Sequence, residues 1–189
     1  MATLVMVCGS LRAASTNGAV VRAAAEFARA HPAVDDVHIA PIRSLPLFDE
    51  DVEAAGDPAE VAKFKNLIAR ADAVVISTPE YNASVPGVLK NAIDWASRPY
   101  GESVLTGKPV AILSASPSNY GGRWAQDHLR AILADGAGAQ VVNEEPVVFP
   151  RVDQLVDDHG VLFDDDALAQ VQALVRHTIA SCEPERASA

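Results

Sequence analysis

The chain alternates between two apolar patterns, and this alternation restricts its fold more than any other feature. Short apolar runs typical of buried parallel strands occupy residues 3–7, 37–40, 73–77, 110–114 and 139–143. Apolar residues recur every three or four positions, as on one helix face, over residues 16–30, 58–71, 85–97, 122–134 and 166–180. The alternation predicts an α/β fold, a parallel sheet with helices on both faces. Right-handed crossovers and five strands favour the doubly wound order 2-1-3-4-5.

This strand order predicts where a ligand binds. In a doubly wound sheet the ligand crevice lies outside the carboxyl ends of the strands, here strands 1, 3 and 4. The loops that follow those strands span residues 9–17, 78–84 and 115–122, and they are the loops most crowded with Gly, Pro, Ser and Asn. Composition and topology therefore indicate the same edge of the sheet.

The first of these loops has the composition of an anion site. It connects a predicted strand to a predicted helix, so several backbone N–H groups converge at the positive end of the helix. Its polar residues are Ser10, Arg12, Ser15, Thr16 and Asn17. A phosphate monoester suits this set, because hydroxyl groups and one guanidinium supply charge-assisted donors. The alternative is that Ser15, Thr16 or Asn17 only caps the helix.

The second and third loops offer walls for a planar ligand. Pro79 ends the third strand, and Tyr81 could stack on a flat ring beside exposed backbone groups. The alternative is a surface tyrosine followed by a turn residue, Asn82. In the third loop, Gly121 and Gly122 would allow the backbone to approach a ligand closely. The alternative there is a flexible connector.

Composition excludes several classes of function. The formal net charge of −10 argues against binding to nucleic acid or an anionic membrane surface. Two distant cysteines, Cys8 and Cys182, with no signal-like segment or bilayer-length apolar run, predict a cytoplasmic protein. The five histidines are scattered, which predicts no metal site. We expect one domain over residues 1–182 and a frayed tail over residues 183–189.

Three motifs resemble one enzyme family. They are GSLR at 9–12 with Ser15 and Asn17, PEYNASVPGVLKNAIDW at 79–95, and GKPV at 107–110 followed by Ser114, Gly121-Gly122, AQ at 125–126 and LR at 129–130. Over about residues 3–150 the chain resembles the NADPH-dependent FMN reductase family, which includes quinone and chromate reductases. The resemblance implies a flavodoxin-like fold. The chain departs from the family pattern in the bulky residues Ser118, Asn119, Tyr120, Arg123 and Trp124.

The resemblance also assigns roles to residues. It implies that Ser10, Arg12, Ser15, Thr16 and Asn17 hold the FMN phosphate. It implies that the isoalloxazine is lined, largely through backbone groups, by Pro79, Glu80, Tyr81 and Asn82. It implies that the other side of the flavin is flanked by Ser114, Ser116, Gly121 and Gly122.

The expected function is an FMN-dependent NAD(P)H oxidoreductase. Hydride from NADPH or NADH would pass through FMN to a quinone-like or other small acceptor in a ping-pong scheme, with no catalytic side chain because the flavin carries the chemistry. The alternatives are a flavodoxin-type electron carrier that docks on partner proteins and a flavin-free binder of a phosphate ligand.

A homodimer or homotetramer is also expected. The resemblance implies it, and the long segment 43–56 is predicted to be a lid or an interface. Aromatic residues, which are enriched at interfaces, are expected to be exposed around the crevice. They are Tyr81, Trp95, Tyr100, Tyr120 and Trp124.

Overall fold

The computed structural model describes residues 1–182, so the predicted tail 183–189 lies outside the described residues. The strands are β1 (Ala2–Cys8), β2 (Val34–Ile39), β3 (Ala73–Thr78), β4 (Pro109–Ser116), β5 (Gln140–Val141) and β6 (Val147–Pro150). The helices are α1 (Thr16–Arg29), α2 (Glu50–Ala54), α3 (Ala59–Arg70), α4 (Gly87–Ala96), α5 (Arg123–Ala131) and α6 (Asp165–Ser181). All five predicted helices and all five predicted strands are present, and the structure adds α2 and β6.

The sheet is parallel throughout and has the order β2-β1-β3-β4-β5, with β6 also paired to β4. The predicted doubly wound order 2-1-3-4-5 is therefore confirmed, and the sheet has six strands where five were predicted. Two apolar cores lie on opposite faces of the sheet. One contains the apolar residues of α1 and α6, and the other contains those of α3, α4 and α5.

The fifth strand position is divided because Asn143 takes the place of strand backbone there. β5 pairs with β4 at Pro109 and Val110, and β6 pairs with it from Leu113 onward. In the gap, the Asn143 side chain accepts a hydrogen bond from the Ile112 N–H (2.9 Å) and donates one to the Ile112 carbonyl (3.0 Å). Buried backbone groups need such partners, so the side chain keeps β4 satisfied across the break.

The segment 43–56 is anchored at its centre. Two side chains of α4 donate to the carbonyl oxygen of Pro46, Asn91 through Nδ2 (2.8 Å) and Trp95 through Nε1 (2.9 Å). The Phe48 N–H donates to Asn91 Oδ1 (2.8 Å), and the Phe48 ring meets the Trp95 ring edge-on at 4.9 Å. Hydrogen bonds and ring packing thus fix the segment against α4.

Trp95 corrects one sequence expectation. The indole was expected among the exposed aromatics around the crevice, but the residue is 0% exposed. It is buried because its ring packs into the core beneath segment 43–56 while its N–H bonds to Pro46. The other four aromatics of that prediction, Tyr81, Tyr100, Tyr120 and Trp124, are exposed.

Among residues 1–182, no helix combines the length and the apolarity that crossing a membrane requires.

We predict that Asn143→Ala destabilises the protein by about 2–4 kcal/mol, because it leaves the buried N–H and C=O of Ile112 without partners. Urea unfolding measures the change. The matched control is Asn66→Ala at an exposed position of α3, which should alter the free energy of unfolding by less than about 0.5 kcal/mol. Equal effects from the two variants would contradict this role for Asn143.

Candidate functional site

The loops that follow β1, β3 and β4 meet at the carboxyl edge of the sheet, and Asn17 joins them. The Asn17 side chain accepts a hydrogen bond from Ser77 Oγ in β3 (2.7 Å) and donates one to the carbonyl of Ala115 in β4 (2.9 Å). Asn17 is only 2% exposed. Both polar atoms of its side chain are therefore hydrogen-bonded to the sheet. Its backbone N–H belongs to the first turn of α1.

The start of α1 retains unpaired donors. Ser15 is the N-cap, with its Oγ accepting a hydrogen bond from the Gly18 N–H (3.2 Å). Within residues 1–182, the N–H groups of Thr16 and Asn17 have no hydrogen-bond partner. Ser15 thus does cap the helix, as the alternative interpretation held, but the cap satisfies one donor and leaves two for a ligand.

Arg12 adds a positive charge beside these donors. The residue is exposed, and no carboxylate of the described chain lies within ion-pair distance of its guanidinium. Its backbone N–H is held by Ser10 Oγ (3.4 Å), which fixes the turn. A cleft of about 310 Å³ runs along this loop, lined also by Ser15 and Arg22. Two helix N–H groups, hydroxyl groups and an arginine fit a phosphate monoester.

The second loop forms a two-residue hairpin. Tyr81 and Ser84 exchange backbone hydrogen bonds of 3.0 and 3.1 Å, while Asn82 and Ala83 both adopt left-handed conformations (φ 52° and 59°). The alternative interpretation of Asn82 as a turn residue is therefore confirmed. A left-handed alanine costs about 1–2 kcal/mol, so the surrounding contacts hold the turn in this shape. Tyr81 is 52% exposed.

Glu80 links this hairpin to the third loop. One oxygen of its carboxylate, Oε2, accepts hydrogen bonds from the N–H groups of Trp124 (3.0 Å) and Ala125 (3.3 Å) in the first turn of α5. Ser84 makes a second tie, with its Oγ 3.1 Å from Nδ1 of His128 on α5. A carboxylate at a helix N-terminus satisfies orphan donors and suits the helix dipole. The carboxylate of Glu80 thus fixes the hairpin and the start of α5 relative to each other.

The third loop is braced by β6 and is not a flexible connector. Arg151 donates from Nε to Asn119 Oδ1 (2.8 Å) and from its backbone N–H to the Ser118 carbonyl (3.2 Å). Gly121 has φ 61°, and a Cβ there would lie 2.9 Å from the nitrogen of Pro150. The close approach that requires this glycine is therefore to β6.

The remaining predicted residues of this wall lie where β4 ends. Ser114 is fully buried, and a Cβ on Gly122 would lie 3.0 Å from its Cβ. Gln126 Nε2 lies 3.4 Å from Ser114 Oγ and donates to the Val147 carbonyl (2.8 Å). Ser116 Oγ accepts the Ser118 N–H (3.2 Å) and is itself partly exposed toward the loop. Ser114 thus supports the wall from beneath, and Ser116 shapes its surface.

The groups with shifted pKa values lie away from this edge. Burial lowers the pKa of Lys108 and outweighs the opposite effect of the negative charge on Asp72. Lys108 directly precedes β4, at the amino edge of the sheet. Burial also raises the pKa of the Cys182 thiol to about 11. Neither group is placed to act as an acid or base at the carboxyl edge. The site is thus a set of donors and walls that suits a bound group carrying its own chemistry.

Sequence reasoning missed some of the groups that support and join the loops, and it quoted Gln126 only within a motif, without a structural role. Ser77 lies within a strand that is buried at every position, and Gln126 lies on the buried side of α5. The donors at Trp124 and Ala125 are backbone N–H groups, which nearly every residue type has, so the sequence does not mark them. Ser77 directly follows the apolar run 73–76, and a polar residue at the end of a buried strand was the available indication of a buried hydrogen bond.

Comparison with known proteins decides the family. Residues 2–154 match the model of the NADPH-dependent FMN reductase family. The chain belongs to this family. Family membership makes the protein an oxidoreductase with FMN as its cofactor and NAD(P)H as its reductant, and it favours an enzyme over an electron carrier.

Several relatives match most of the chain. An NAD(P)H-dependent FMN reductase of Pseudomonas aeruginosa is 42% identical over 166 residues, 88% of this chain and 87% of the relative. A quinone reductase of Pseudomonas putida is 47% identical over 131 residues, 69% of each chain. A 2-hydroxy-1,4-benzoquinone reductase of a Burkholderia species is 39% identical over 173 residues, 91% of each chain.

Solved structures confirm the flavodoxin-like fold. FerB, a flavoenzyme NAD(P)H:(acceptor) oxidoreductase of Paracoccus denitrificans, superposes with a TM-score of 0.83 at 30% identity and covers 96% of this chain and 97% of its own. Flavodoxin 1 of Bacillus cereus superposes with a TM-score of 0.60 at 16% identity, covering 94% of this chain and 97% of its own. The latter match concerns the fold alone.

We predict that Glu80→Ala lowers the free energy of unfolding of the FMN-free protein by about 1 kcal/mol, because two N–H groups of α5 lose their acceptor. Glu80→Gln keeps a carbonyl oxygen at that place and should lose less. Urea unfolding measures both variants. Glu102→Ala, at an exposed residue, is the control and should change little; if Glu80→Ala changed as little, the capping role would be wrong.

Proposed function

We propose that the protein catalyses the reduction of a quinone-like small acceptor by NADPH or NADH in two half-reactions. The sum is NAD(P)H + H⁺ + quinone → NAD(P)⁺ + hydroquinone, so two electrons and two protons reach the acceptor. FMN, when bound, supplies the chemistry that accepts a hydride from one ligand and returns two electrons to the other. The printed activities of the relatives, FMN reductase and quinone reductase, support this proposal.

The observation that carries the proposal is that, within the part of the chain that the structure describes, the N–H groups of Thr16 and Asn17 have no partner and follow the exposed Arg12 in the same loop. In a chain of net charge −10, a phosphate needs local donors, because the overall field repels it. We therefore assign the FMN phosphate to these N–H groups and Arg12, with the hydroxyl groups of Ser10 and Ser15 completing the loop. Asn17 contributes its N–H, while its side chain keeps the loop on the sheet.

The isoalloxazine ring is assigned to the crevice between the second and third loops. One wall is the hairpin, with Pro79, Glu80, Tyr81 and Asn82. Among the described residues, the N–H groups of Asn82 and Ala83 have no partner, so they are available to the polar edge of the ring. Fixed N–H donors at that edge would stabilise the negative charge of the reduced ring.

The opposite wall consists of Ser114, Ser116, Gly121 and Gly122, with Ser114 acting from beneath. The Glu80 bond to α5 holds the two walls together. If both substrates use the same face of the flavin between these walls, they bind in turn, and the nicotinamide leaves before the acceptor enters. This order corresponds to the expected ping-pong scheme.

We expect Arg12→Ala to weaken FMN binding by about 1.5–3 kcal/mol, the contribution of one charged hydrogen-bond partner. By the same argument, riboflavin, which lacks the phosphate, should bind the unaltered protein weakly. Flavin fluorescence titration measures both affinities. Arg70→Ala, at the exposed end of α3, should leave the affinity unchanged. Equal affinities for riboflavin and FMN would show that the loop does not hold the phosphate.

Reduction by free nicotinamide separates the enzyme from an electron carrier. Anaerobic NADPH or NADH should bleach the flavin absorbance in one phase, and adding benzoquinone should restore it. Double-reciprocal plots of the steady-state rate against nucleotide concentration, at several acceptor concentrations, should give parallel lines. A carrier would be reduced by a partner reductase and would react with neither nucleotide at a useful rate, an outcome that would overturn the proposal.

We also propose a cytoplasmic homodimer or homotetramer. Both cysteines of the described chain are free, which suits a reducing compartment. Exposed aromatic residues, such as Tyr81, are typical of surfaces that associate. Light scattering over a dilution series should give twice or four times the chain mass of 19.9 kDa. A monomer mass with FMN still bound would contradict the assembly.

A further inference from the structure

Two exposed aromatic rings stack on each other where the third loop enters α5. The centroids of Tyr120 and Trp124 lie 5.2 Å apart with an interplanar angle of 21°. Tyr120 is 63% exposed and Trp124 is 51% exposed. These are two of the bulky residues by which the sequence departs from the family pattern, and the proposed flavin contacts use neither of them.

The backbone of this aromatic pair is held in place. The Tyr120 N–H donates to Ser118 Oγ (3.3 Å), and the Tyr120 carbonyl accepts from the Arg123 N–H (3.1 Å). The Trp124 N–H donates to the Glu80 carboxylate (3.0 Å). Rigid aromatic surfaces lose little entropy when a ligand stacks on them, so this pair is prepared for a flat partner.

The pair also borders the proposed flavin crevice. Tyr120 belongs to the loop that leaves β4, and Trp124 lies in the first turn of α5. Glu80, which holds Trp124, directly precedes Tyr81 in the opposite wall. A ligand on the Tyr120–Trp124 pair therefore lies at the edge of the crevice where an acceptor enters.

Local charge favours a neutral ligand over an anion. Arg123, between the two aromatic residues, donates from Nε to both carboxylate oxygens of Asp127 at 3.0 and 3.1 Å. This ion pair neutralises the one cationic side chain within residues 120–124. The platform thus offers π-surface with no unpaired cation from residues 120–124, and the Glu80 carboxylate lies on the Trp124 N–H. This charge pattern suits an uncharged planar ring better than an anion.

We propose that the Tyr120–Trp124 pair is an acceptor subsite that binds planar quinonoid rings and favours them over compact, non-planar oxidants. This inference rests on the proposed quinone reductase function and adds the residues that select the acceptor. Stacking on one aromatic partner changes affinity by about three- to tenfold. The loss of either ring should therefore lower reactivity toward a quinone by that factor.

Tryptophan fluorescence tests the binding directly, without turnover. The chain has two tryptophans, and Trp95 is 0% exposed, so a soluble quencher reports mainly on Trp124. In the FMN-loaded protein without reductant, 1,4-naphthoquinone should quench saturably, whereas acrylamide should quench linearly. Trp124→Phe should abolish the saturable component. Linear quenching by naphthoquinone in the unaltered protein would overturn the proposal.

The oxidative half-reaction tests selectivity. After reduction by NADPH, stopped-flow reoxidation should be about three- to tenfold slower with naphthoquinone in Tyr120→Ala and in Trp124→Ala, and unchanged with ferricyanide. Trp124→Phe, which keeps a ring for stacking, should recover most of the loss. Tyr100→Ala, at a tyrosine that follows the end of α4 and is 92% exposed, should behave as the unaltered protein.

The remaining outcomes are also decisive. Equal slowing with both acceptors, or none with either, would overturn the proposal. The proposal would also be wrong if Trp124→Ala had a lower oligomer mass and Trp124 of the unaltered protein were not quenched. The pair would then contact a second copy of the chain. Failure of NADPH and NADH to reduce the unaltered protein would refute the proposed function, whereas the quenching result stands or falls independently of turnover.

Discussion

The site depends on one buried amide, the side chain of Asn17. Its two hydrogen bonds, from Ser77 Oγ and to the Ala115 carbonyl, connect the loop after β1 to β3 and β4. Parallel strands bring their carboxyl ends to one edge but do not fix the conformations of the loops that follow them. Asn17 supplies that constraint, and it leaves the N–H groups at the start of α1 facing outward.

A second constraint joins the walls of the crevice. The Glu80 carboxylate caps α5, so the hairpin of the second loop and the start of α5 move as one unit. The strained left-handed Ala83 and the aromatic pair of Tyr120 and Trp124 both lie next to this connection. Local strain and exposed aromatic rings are tolerated there because the surrounding hydrogen bonds determine the geometry.

The fold was predictable because periodicity and strand order depend on many residues at once. The meeting of loops 9–17, 78–84 and 115–122 at one edge was predictable too, since it follows from the strand order. Individual long-range contacts were not predictable, because no local pattern encodes them. Trp95 was expected at the surface, yet it is buried by its bond to Pro46, and Asn143 divides the fifth strand through one side chain.

The central claim is that buried hydrogen bonds below the crevice arrange the phosphate loop. Ser77→Ala tests it most directly, because Ser77 is fully buried and, among the described residues, its hydroxyl group bonds only to Asn17. The bond from the Gly9 N–H to the Ser77 carbonyl is a backbone bond and stays in the variant. The account predicts that the Kd for FMN rises about tenfold, equivalent to about 1.4 kcal/mol. Ser103→Ala, which removes a hydroxyl bond to Ala137, should leave that Kd unchanged. Lower stability of Ser77→Ala with unaltered FMN affinity would contradict the account.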